Sequence, residues 1–251
     1  MRLNFLRRTR TAHPVPAPTA FSGDPARCAE PVVAIGDVHG EADLLAQLLE
    51  RIDAQHPGHR IVGLGDYIDR GENSARVLEL LEQADALCLR GNHEEMLLDF
   101  LDDPAGRGPS WLGNGGLQTL FSLRVAGPTA STDPEALHKV ARDLAAALGA
   151  DRLAWLRGLP RSWQSGNVGF VHAGADPALA FDKQPDRALT WGHPHFARAP
   201  RADGLWIVHG HRVVPEATMA DGVISVDTGA YATGRLSAVV LNDAGVSFLS
   251  T

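Results

Sequence analysis

The sequence predicts an α/β fold built from two stacked β-sheets with flanking helices, and three observations support this. Between residues 31 and 101, short apolar runs alternate with segments whose apolar residues recur at helical spacing. The middle of the chain is helical in pattern and rich in alanine and leucine. The last third contains further short apolar runs separated by turn residues. A βαβαβα order predicts a parallel sheet with right-handed crossovers, and the later runs predict a second sheet packed on it.

The first half supplies three strands and three helices. The strands are the apolar runs "PVVAI" (31–35), "RIVGL" (60–64) and "ALCL" (86–89). In "ADLLAQLLERI" (42–52) the leucines fall on one helical face, which predicts an amphipathic helix packed on the sheet. A second helix runs through "ARVLELLEQ" (75–83) with Asn73 or Ser74 as its N-cap, and a third begins at Glu94.

The remainder of the chain changes character. "DDPAGRGPS" (102–110) predicts a loop, and residues 134–159 are helical in pattern, so we expect a helical insertion over about 104–160 that lies against the sheet. Further strands are predicted at 167–172, 205–210, 222–227, 235–241 and 245–249. We expect these runs to form the second sheet.

Composition restricts the possible function classes. The 251 residues carry a formal net charge of −7, so the molecule has no general attraction for nucleic acids or anionic membranes. The two cysteines, Cys28 and Cys88, do not indicate a disulfide framework, which favours a reducing, cytoplasmic location. Residues 1–30 are expected to form a flexible tail, with contact to a membrane surface as the alternative. Residues 31–251 are expected to form one domain.

Each strand-to-helix turn in the first half carries polar side chains of the kinds that bind metals or phosphate. The motif "GDVHG" follows the first strand, "GDYIDRG" the second and "RGNHE" the third. In an open parallel sheet these turns meet outside the carboxyl ends of the strands, where such folds bind ligands. The shared crevice would contain Asp37, His39, Asp66, Asp69, Arg70, Arg90, Asn92 and His93, and two later strand ends would add His172, His209 and His211.

This combination of side chains indicates a metal centre. One motif alone could be an ordinary turn, and any single histidine could be a structural residue. Carboxylate, imidazole and amide ligands without thiolates suit Mn²⁺, Fe or Zn²⁺. The ligands are too numerous for one catalytic ion with open positions, so we expect two divalent metal ions, which can clamp a phosphoryl group. Arg70 and Arg90 would supply planar guanidinium groups for its oxygens.

Together, "GDVHG", "GDYIDRG", "RGNHE", "VHAG" and "HGHR" resemble the signature of the PPP-type serine/threonine protein phosphatases, in their bacterial and phage branch. The resemblance extends from about residue 33 to residue 234 and includes "WLGNGGLQTL" (111–120). It implies a metallophosphoesterase fold, with two stacked mixed β-sheets flanked by helices. It also implies a phosphatase that hydrolyses phosphomonoesters with a hydroxide activated by two metal ions, Mn²⁺ being the expected metal. Phosphorylated proteins would be the substrates.

The resemblance implies roles for individual residues as well. Asp37 and His39 would hold the first ion, Asp66 would bridge both ions, and Asn92, His172 and His211 would hold the second. His93, oriented by Asp69, would protonate the leaving alkoxide or lie beside the nucleophile. Arg70 and Arg90 would bind phosphate, and Tyr231 lies in a loop that resembles one approaching the metals in the family.

One position departs from the family pattern. The bacterial branch often has an arginine two residues after a tryptophan as a third phosphate contact, whereas "TWGHPHFAR" (190–198) places His193 there and Arg198 further on. Two other functions stay open: a dinucleoside polyphosphate hydrolase of the same fold, and a non-catalytic phosphoprotein-binding module. "GDYIDRG" as written and Glu94 favour the protein phosphatase over the first, and the complete ligand set with His93 favours an enzyme over the second.

Overall fold

The computed structural model describes residues 20–129 and 133–251 of the chain. Within these residues, two five-stranded mixed β-sheets stack face to face, and helices cover the outer face of the first sheet. The predicted fold class, an α/β protein with two stacked mixed sheets, is confirmed. Residues 1–19, which make up most of the predicted tail, lie outside the described residues.

The first sheet contains the three strands predicted in the first half. β1 (Val32–Ile35), β2 (Arg60–Gly63) and β3 (Leu87–Cys88) run parallel, joined by the crossover helices α1 (Ala42–Gln55) and α2 (Ser74–Gln83), and α3 (Asn92–Asp102) follows β3. Two antiparallel strands, β9 (Ser237–Asn242) and β10 (Gly245–Ser250), extend the sheet beside β1. The strand order is therefore β10-β9-β1-β2-β3.

The second sheet is built from the strands between the helical insertion and β9. They are β4 (Ser162–Ser165), β5 (Val168–Val171), β6 (Trp206–His209), β7 (Thr218–Ala220) and β8 (Val223–Ser225). Their order is β4-β5-β6-β8-β7, with the three inner strands parallel and the two edge strands antiparallel. The short helices α8 (Asp186–Trp191) and α9 (Ala230–Thr233) lie in the connections after β5 and β8.

Strand β1 shows how the two cores are separated. Its side chains alternate between faces, as in any strand. Val33 and Ile35 pack in the core beneath the helices, whereas Val32 and Ala34 pack in the core between the two sheets. All four residues are fully buried. Burial on both faces explains why the run is continuously apolar and does not alternate with polar residues.

The last two strands belong to a different sheet from the one predicted. β9 and β10 belong to the first sheet, where β9 pairs with β1, and not to the second sheet. Val240 packs with the helices and Val239 with the second sheet, so β9 is buried on both faces. A run of this pattern suits an interior position in either sheet, and the pairing partner is set by contacts distant in sequence.

The helical insertion contains α4 (Pro104–Trp111), a kinked turn (Leu112–Gly116), α5 (Leu117–Ser122), α6 (Pro134–Leu148) and α7 (Ala150–Gly158). The loop predicted over 102–110 is wrong, because α4 occupies most of it. Asp103 caps this helix by accepting from the Gly106 N–H, and Pro104 stands in its first turn, where a missing N–H costs nothing. No helix in the described part of the chain combines the length and apolarity needed to span a membrane.

Residues 21–29, which the sequence assigned to the tail, pack against the second sheet. The Phe21 ring meets the Trp206 ring edge to face at 4.7 Å, and Trp206 Nε1 donates to Asp24 O at 2.9 Å. The Arg27 N–H donates to Asn167 Oδ1 at 2.7 Å, and the Asn167 N–H donates back to Arg27 O. These residues of the expected tail are therefore in contact with the domain.

Candidate metal centre and active site

Five strand ends bring most of the predicted site residues to one edge of the stacked sheets. β1, β2 and β3 are parallel to one another, as are β5 and β6, so the turns that follow them open on the same side of each sheet. These turns carry Asp37 and His39 after β1, Asp66, Asp69 and Arg70 after β2, Asn92 and His93 after β3, His172 after β5, and His211 after β6.

Several of these residues have backbone conformations that ordinary side chains avoid. The φ angle is 47° at His39, 53° at Asp66, 69° at Asp69, 68° at Arg70 and 61° at His211. A non-glycine residue in this left-handed region costs about 1–3 kcal/mol and persists where the surrounding structure enforces it, often at functional sites. The tight turns thus stabilise side-chain directions that a relaxed backbone would not provide.

Two groups of potential ligand atoms share Asp66. One consists of His39, Asp66 and His93, the other of Asp66, His172 and His211, and within each group the ligand atoms lie within 4.8 Å of one another. His39 Nε2 is 3.6 Å from Asp66 Oδ2, and His172 Nε2 is 3.4 Å from Asp66 Oδ1. The two oxygens of this carboxylate therefore face different groups, which is the arrangement that a bridging ligand requires.

The hydrogen bonds of two buried histidines suit a cation. His39 Nδ1 donates to Ile68 O and His172 Nδ1 donates to Leu64 O, both at 2.9 Å. Burial lowers the pKa of His39 to about 3 and also lowers the pKa of His172, so both rings are neutral. Each Nε2 then presents a lone pair toward the carboxylate of Asp66. Lone pairs that face a carboxylate need a cation between them, and a first-row divalent metal ion fits this donor set.

Asn92 lies beside the second group of ligand atoms, whereas Asp37 belongs to neither group. Asn92 Oδ1 lies 2.9 Å from His172 Nε2. Asp37 accepts the His211 backbone N–H with both carboxylate oxygens at 3.0 Å. Burial, together with the charge of Asp227, raises the pKa of Asp37 well above its ordinary value. A bound cation would offset this concentration of negative charge, so the environment of Asp37 also fits a metal.

His93 is held between Asp69 and Arg70. Its Nδ1 donates to Asp69 Oδ2 at 2.8 Å, and its Nε2 lies 3.2 Å from Arg70 Nη2 and 3.9 Å from Asp66 Oδ2. Burial by itself lowers the pKa of His93, but the charge of Asp66 and the hydrogen bond and charge of Asp69 outweigh it and raise that pKa. In this arrangement Nε2 accepts from the Arg70 guanidinium, which has only donors. The raised pKa favours a proton on Nε2, the ring nitrogen that faces the ligand groups, when Arg70 binds another acceptor.

The four residues predicted to contact substrate are placed differently. The Arg70 guanidinium lies over the Tyr231 ring, 4.6 Å from its centre, and the Tyr231 ring is 5.3 Å from that of His39. Arg90 Nη2 instead donates to the carbonyls of Leu156 and Arg157 at the end of α7. His193 Nε2 lies 3.6 Å from Asp176 Oδ2. The structure therefore places Arg70 and Tyr231 beside the ligand groups, whereas the hydrogen bonds of Arg90 and the ion pair of His193 involve residues outside those groups.

Comparison with known proteins identifies the family of this chain. The profile of the calcineurin-like phosphoesterases matches residues 30–222, more than half of the chain. The chain belongs to the calcineurin-like phosphoesterase family. Within it, the resemblance to PPP-type serine/threonine protein phosphatases is confirmed by curated relatives of that name.

Two of these relatives are bacterial. Over 82 residues the phosphoesterase is 39% identical to serine/threonine-protein phosphatase 2 of Escherichia coli (strain K12). Over the same length it is 37% identical to serine/threonine-protein phosphatase 1 of Salmonella typhimurium. Each match covers 33% of this chain and 37% of the relative, so the matched part spans little more than a third of these curated proteins.

Solved structures extend the similarity over most of the phosphoesterase. A candidate diadenosine tetraphosphatase superposes with a TM-score of 0.62 at 21% identity, covering 88% of this chain and 94% of the other. A cold-active protein-tyrosine phosphatase of a psychrophilic Shewanella species gives 0.59 at 19% identity, covering 92% and 83%. At these identities the structures support a shared fold and nothing more about substrate.

Two further acidic residues of the phosphoesterase site were not predicted as site residues from the sequence motifs. Glu94 is fully buried and accepts the backbone N–H groups of Asp66, Tyr67 and Gly91 at 2.8–2.9 Å. Asp227 follows β8, and burial raises its pKa to about 6. The strand-end rule could have identified Asp227. The role of Glu94 depends on backbone contacts, which side-chain patterns do not reveal.

Proposed function

We propose that this phosphoesterase is a metal-dependent protein phosphatase, with residues 31–251 as its catalytic domain and phosphorylated serine or threonine side chains as its substrates. The observation that carries the proposal is the pair of ligand groups sharing Asp66, one of which includes His93 with its hydrogen-bond partner Asp69. The similarity to serine/threonine-protein phosphatases over 82 residues supports protein substrates.

The residues fit two divalent metal ions, and Mn²⁺ is the metal we expect. Asp37 and His39 would hold one ion, Asn92, His172 and His211 the other, and Asp66 both. When bound, such a pair supplies Lewis acidity that activates water and neutralises charge on a phosphoryl group. The chain's own contribution is to fix the ligands in advance, through the Nδ1 hydrogen bonds of its histidines to backbone carbonyls.

The remaining residues of the site bind phosphate and move a proton. Arg70 offers a planar fork of donors to the phosphoryl oxygens and is held in position by the face of Tyr231. His93 transfers its Nε2 proton to the departing serine or threonine oxygen, while Asp69 holds the opposite ring nitrogen and stabilises the charged form.

We propose that Arg90 and His193 also contact the phosphate of the substrate. Arg90 Nη2 donates to the carbonyls of Leu156 and Arg157, so Arg90 would bind phosphate either with its other donors or after Nη2 has left those carbonyls. His193 would be a weaker phosphate contact than an arginine, because a neutral imidazole has one donor and no permanent charge. Both contacts stay predictions.

A substrate panel tests the function. Purified protein is assayed with phosphoserine, phosphothreonine and phosphotyrosine peptides and with diadenosine tetraphosphate, each with Mn²⁺ and after chelation. We expect metal-dependent release of phosphate, with the highest kcat/KM on phosphoserine or phosphothreonine. A preference of about tenfold or more, or about 1.4 kcal/mol in barrier, for diadenosine tetraphosphate would assign the dinucleoside polyphosphate hydrolase instead. Full activity after chelation would contradict the metal mechanism.

Two variants separate the metal site from the proton donor. Asp66→Asn should lose bound metal and activity together, because one residue serves both ligand groups. His93→Asn should retain the metal but lose activity by roughly 10²–10⁴-fold, the usual range for general acid–base assistance. Elemental analysis checks both, and loss of metal in His93→Asn would make His93 a ligand.

A further inference from the structure

The helical insertion reaches the Asp69–His93 pair through two side chains. Trp111, the last residue of α4, donates Nε1–H to Asp69 at 3.0 Å from Oδ2 and 3.2 Å from Oδ1. Thr119, in α5, donates its hydroxyl to Asp69 Oδ1 at 2.6 Å. Trp111, Thr119 and Asp69 are all fully buried, so water does not compete for these hydrogen bonds.

These contacts fix the orientation of the Asp69 carboxylate. Oδ1 receives the Thr119 hydroxyl and Oδ2 receives His93 Nδ1–H, with the Trp111 indole N–H shared between the two oxygens. Rotation of the carboxylate would break at least one of these bonds. The direction in which Asp69 aims the His93 ring therefore depends on donors that come from the insertion.

The insertion also holds the backbone of the same turn. The Asp69 N–H donates to Thr119 Oγ1 at 2.9 Å and the Arg70 N–H donates to Gly115 O at 3.3 Å. Asp69 and Arg70 are two of the residues with left-handed φ. The segment from α4 to α5 thus supports both the side chain and the strained backbone of Asp69.

We propose that Trp111 and Thr119 are positioning residues that act through Asp69 on His93 and set the proton-transfer geometry of the site. The proposal rests on the proposed phosphatase function. Trp111 is suited to this role because its ring stacks on Phe100, with centres 4.8 Å apart and planes 22° apart, which fixes its N–H direction. Both residues contact Asp69 and not the proposed metal ligands, so each acts on the reaction through Asp69.

The proposal predicts a dependence on the leaving group that general loosening of the fold would not produce. Proton donation by His93 matters for an alkoxide such as serine, which leaves poorly without a proton. It matters little for p-nitrophenolate, which leaves as a stable anion. Misorienting His93 should therefore slow hydrolysis of a phosphoserine peptide far more than hydrolysis of p-nitrophenyl phosphate.

The test compares Trp111→Phe and Thr119→Val with the wild type on both substrates. Trp111→Phe retains an aromatic ring against Phe100, and Thr119→Val retains the shape of the side chain, so each removes mainly the donor. Thr119→Ser restores the hydroxyl, and Trp163→Phe is a matched control because Trp163 packs on Phe170 in the second sheet. We expect kcat on the phosphopeptide to fall about tenfold or more, part of the range for acid–base assistance. On p-nitrophenyl phosphate kcat should change less than about threefold, with KM and metal content unchanged and Thr119→Ser close to wild type.

Equal loss on both substrates, or loss of bound metal, would overturn the proposal in favour of a structural role. A second readout does not depend on activity: the Nδ1–H resonance of His93 in protein labelled with ¹⁵N-histidine. Weakened hydrogen bonding should broaden or shift this signal in Trp111→Phe and Thr119→Val, but not in Trp163→Phe. If the wild type hydrolyses neither ester, the proposed function fails, and an unchanged resonance in the two variants would separately refute the positioning role.

Discussion

At the scale of single residues, Glu94 organises the turns that carry the metal ligands. Its carboxylate accepts three backbone N–H groups, those of Asp66 and Tyr67 after β2 and of Gly91 after β3. The two turns also pack closely on each other, since a Cβ at Gly91 would lie 2.2 Å from Asp66 Oδ1. One buried side chain thus joins two strand ends that are neighbours in the sheet.

Replacement of Glu94 should therefore cost stability as well as metal binding. Glu94→Ala leaves three buried N–H groups without an acceptor, and at about 1–3 kcal/mol each the free energy of unfolding should fall by about 3 kcal/mol or more. Denaturant unfolding of the metal-free protein measures this change, and elemental analysis measures the metal content.

Glu95→Ala is the matched control for Glu94→Ala. Glu95 is the next residue of α3 and is only partly buried, with Oε1 accepting from Trp191 Nε1 at 3.1 Å. A surface hydrogen bond of this kind contributes on the order of 1 kcal/mol. Equal destabilisation by the two substitutions would contradict the organising role of Glu94.

At the scale of elements, the kinked turn between α4 and α5 sets the position of Trp111. Gly116 packs directly on the indole, where an added Cβ would meet the ring atoms Cδ2 and Cε2 at 2.6 Å. Gly113, in the same turn, has nothing within 4 Å of such a Cβ. The turn therefore offers two glycines with opposite environments for the same substitution.

Gly116→Ala should displace the Trp111 ring and destabilise the protein, because a stacked and fully buried indole has no space to move into. We expect a loss of about 1–3 kcal/mol in the free energy of unfolding, the typical cost of overpacking. Gly113→Ala should be neutral or stabilising by up to about 1 kcal/mol, since alanine favours helical backbone over glycine. Thermal unfolding of both variants measures these changes. If Gly113→Ala were more destabilising than Gly116→Ala, the contact between Gly116 and Trp111 would not limit stability.

At the scale of the whole molecule, the segment before β1 ties the start of the domain to the second sheet. The Asn167 side chain accepts from the Arg27 N–H and donates to Pro25 O, and β1 itself lies in the first sheet. Residues 24–29 thus run along the second sheet immediately before the chain enters the first.

Asn167→Ala should release this segment without altering the metal centre. Loss of the bonds to Arg27 and Pro25 should lower the free energy of unfolding by about 1–2 kcal/mol and speed amide exchange at Arg27 and Ala29. Gln164→Ala is the control, because the Gln164 amide donates to Gly166 O within its own hairpin. Hydrogen–deuterium exchange checks the prediction. Unchanged exchange in Asn167→Ala would mean that the remaining contacts, such as Phe21–Trp206 and Trp206 Nε1–Asp24 O, hold the segment without the Asn167 side chain.

The local motifs determined much of the fold and of the site. β1, β2 and β3 and their helices follow from periodicity, because the face that a segment buries is written in its own spacing. Asp66, His39 and Asn92 could be expected at one crevice, since the carboxyl ends of parallel strands in one sheet meet at one edge. These inferences need the sequence of each segment and the handedness of the crossovers, and nothing further.

The tertiary structure alone decided which surfaces meet. It placed β9 beside β1, folded residues 104–111 into α4, and brought Trp111 and Thr119 onto Asp69. It also directed the guanidinium of Arg90 to the end of α7. Hydrophobic periodicity predicts that a side chain is buried, but not which residues cover it. Contacts between residues distant in sequence depend on packing of the whole chain, so these features emerged only when the two sheets and the insertion were assembled.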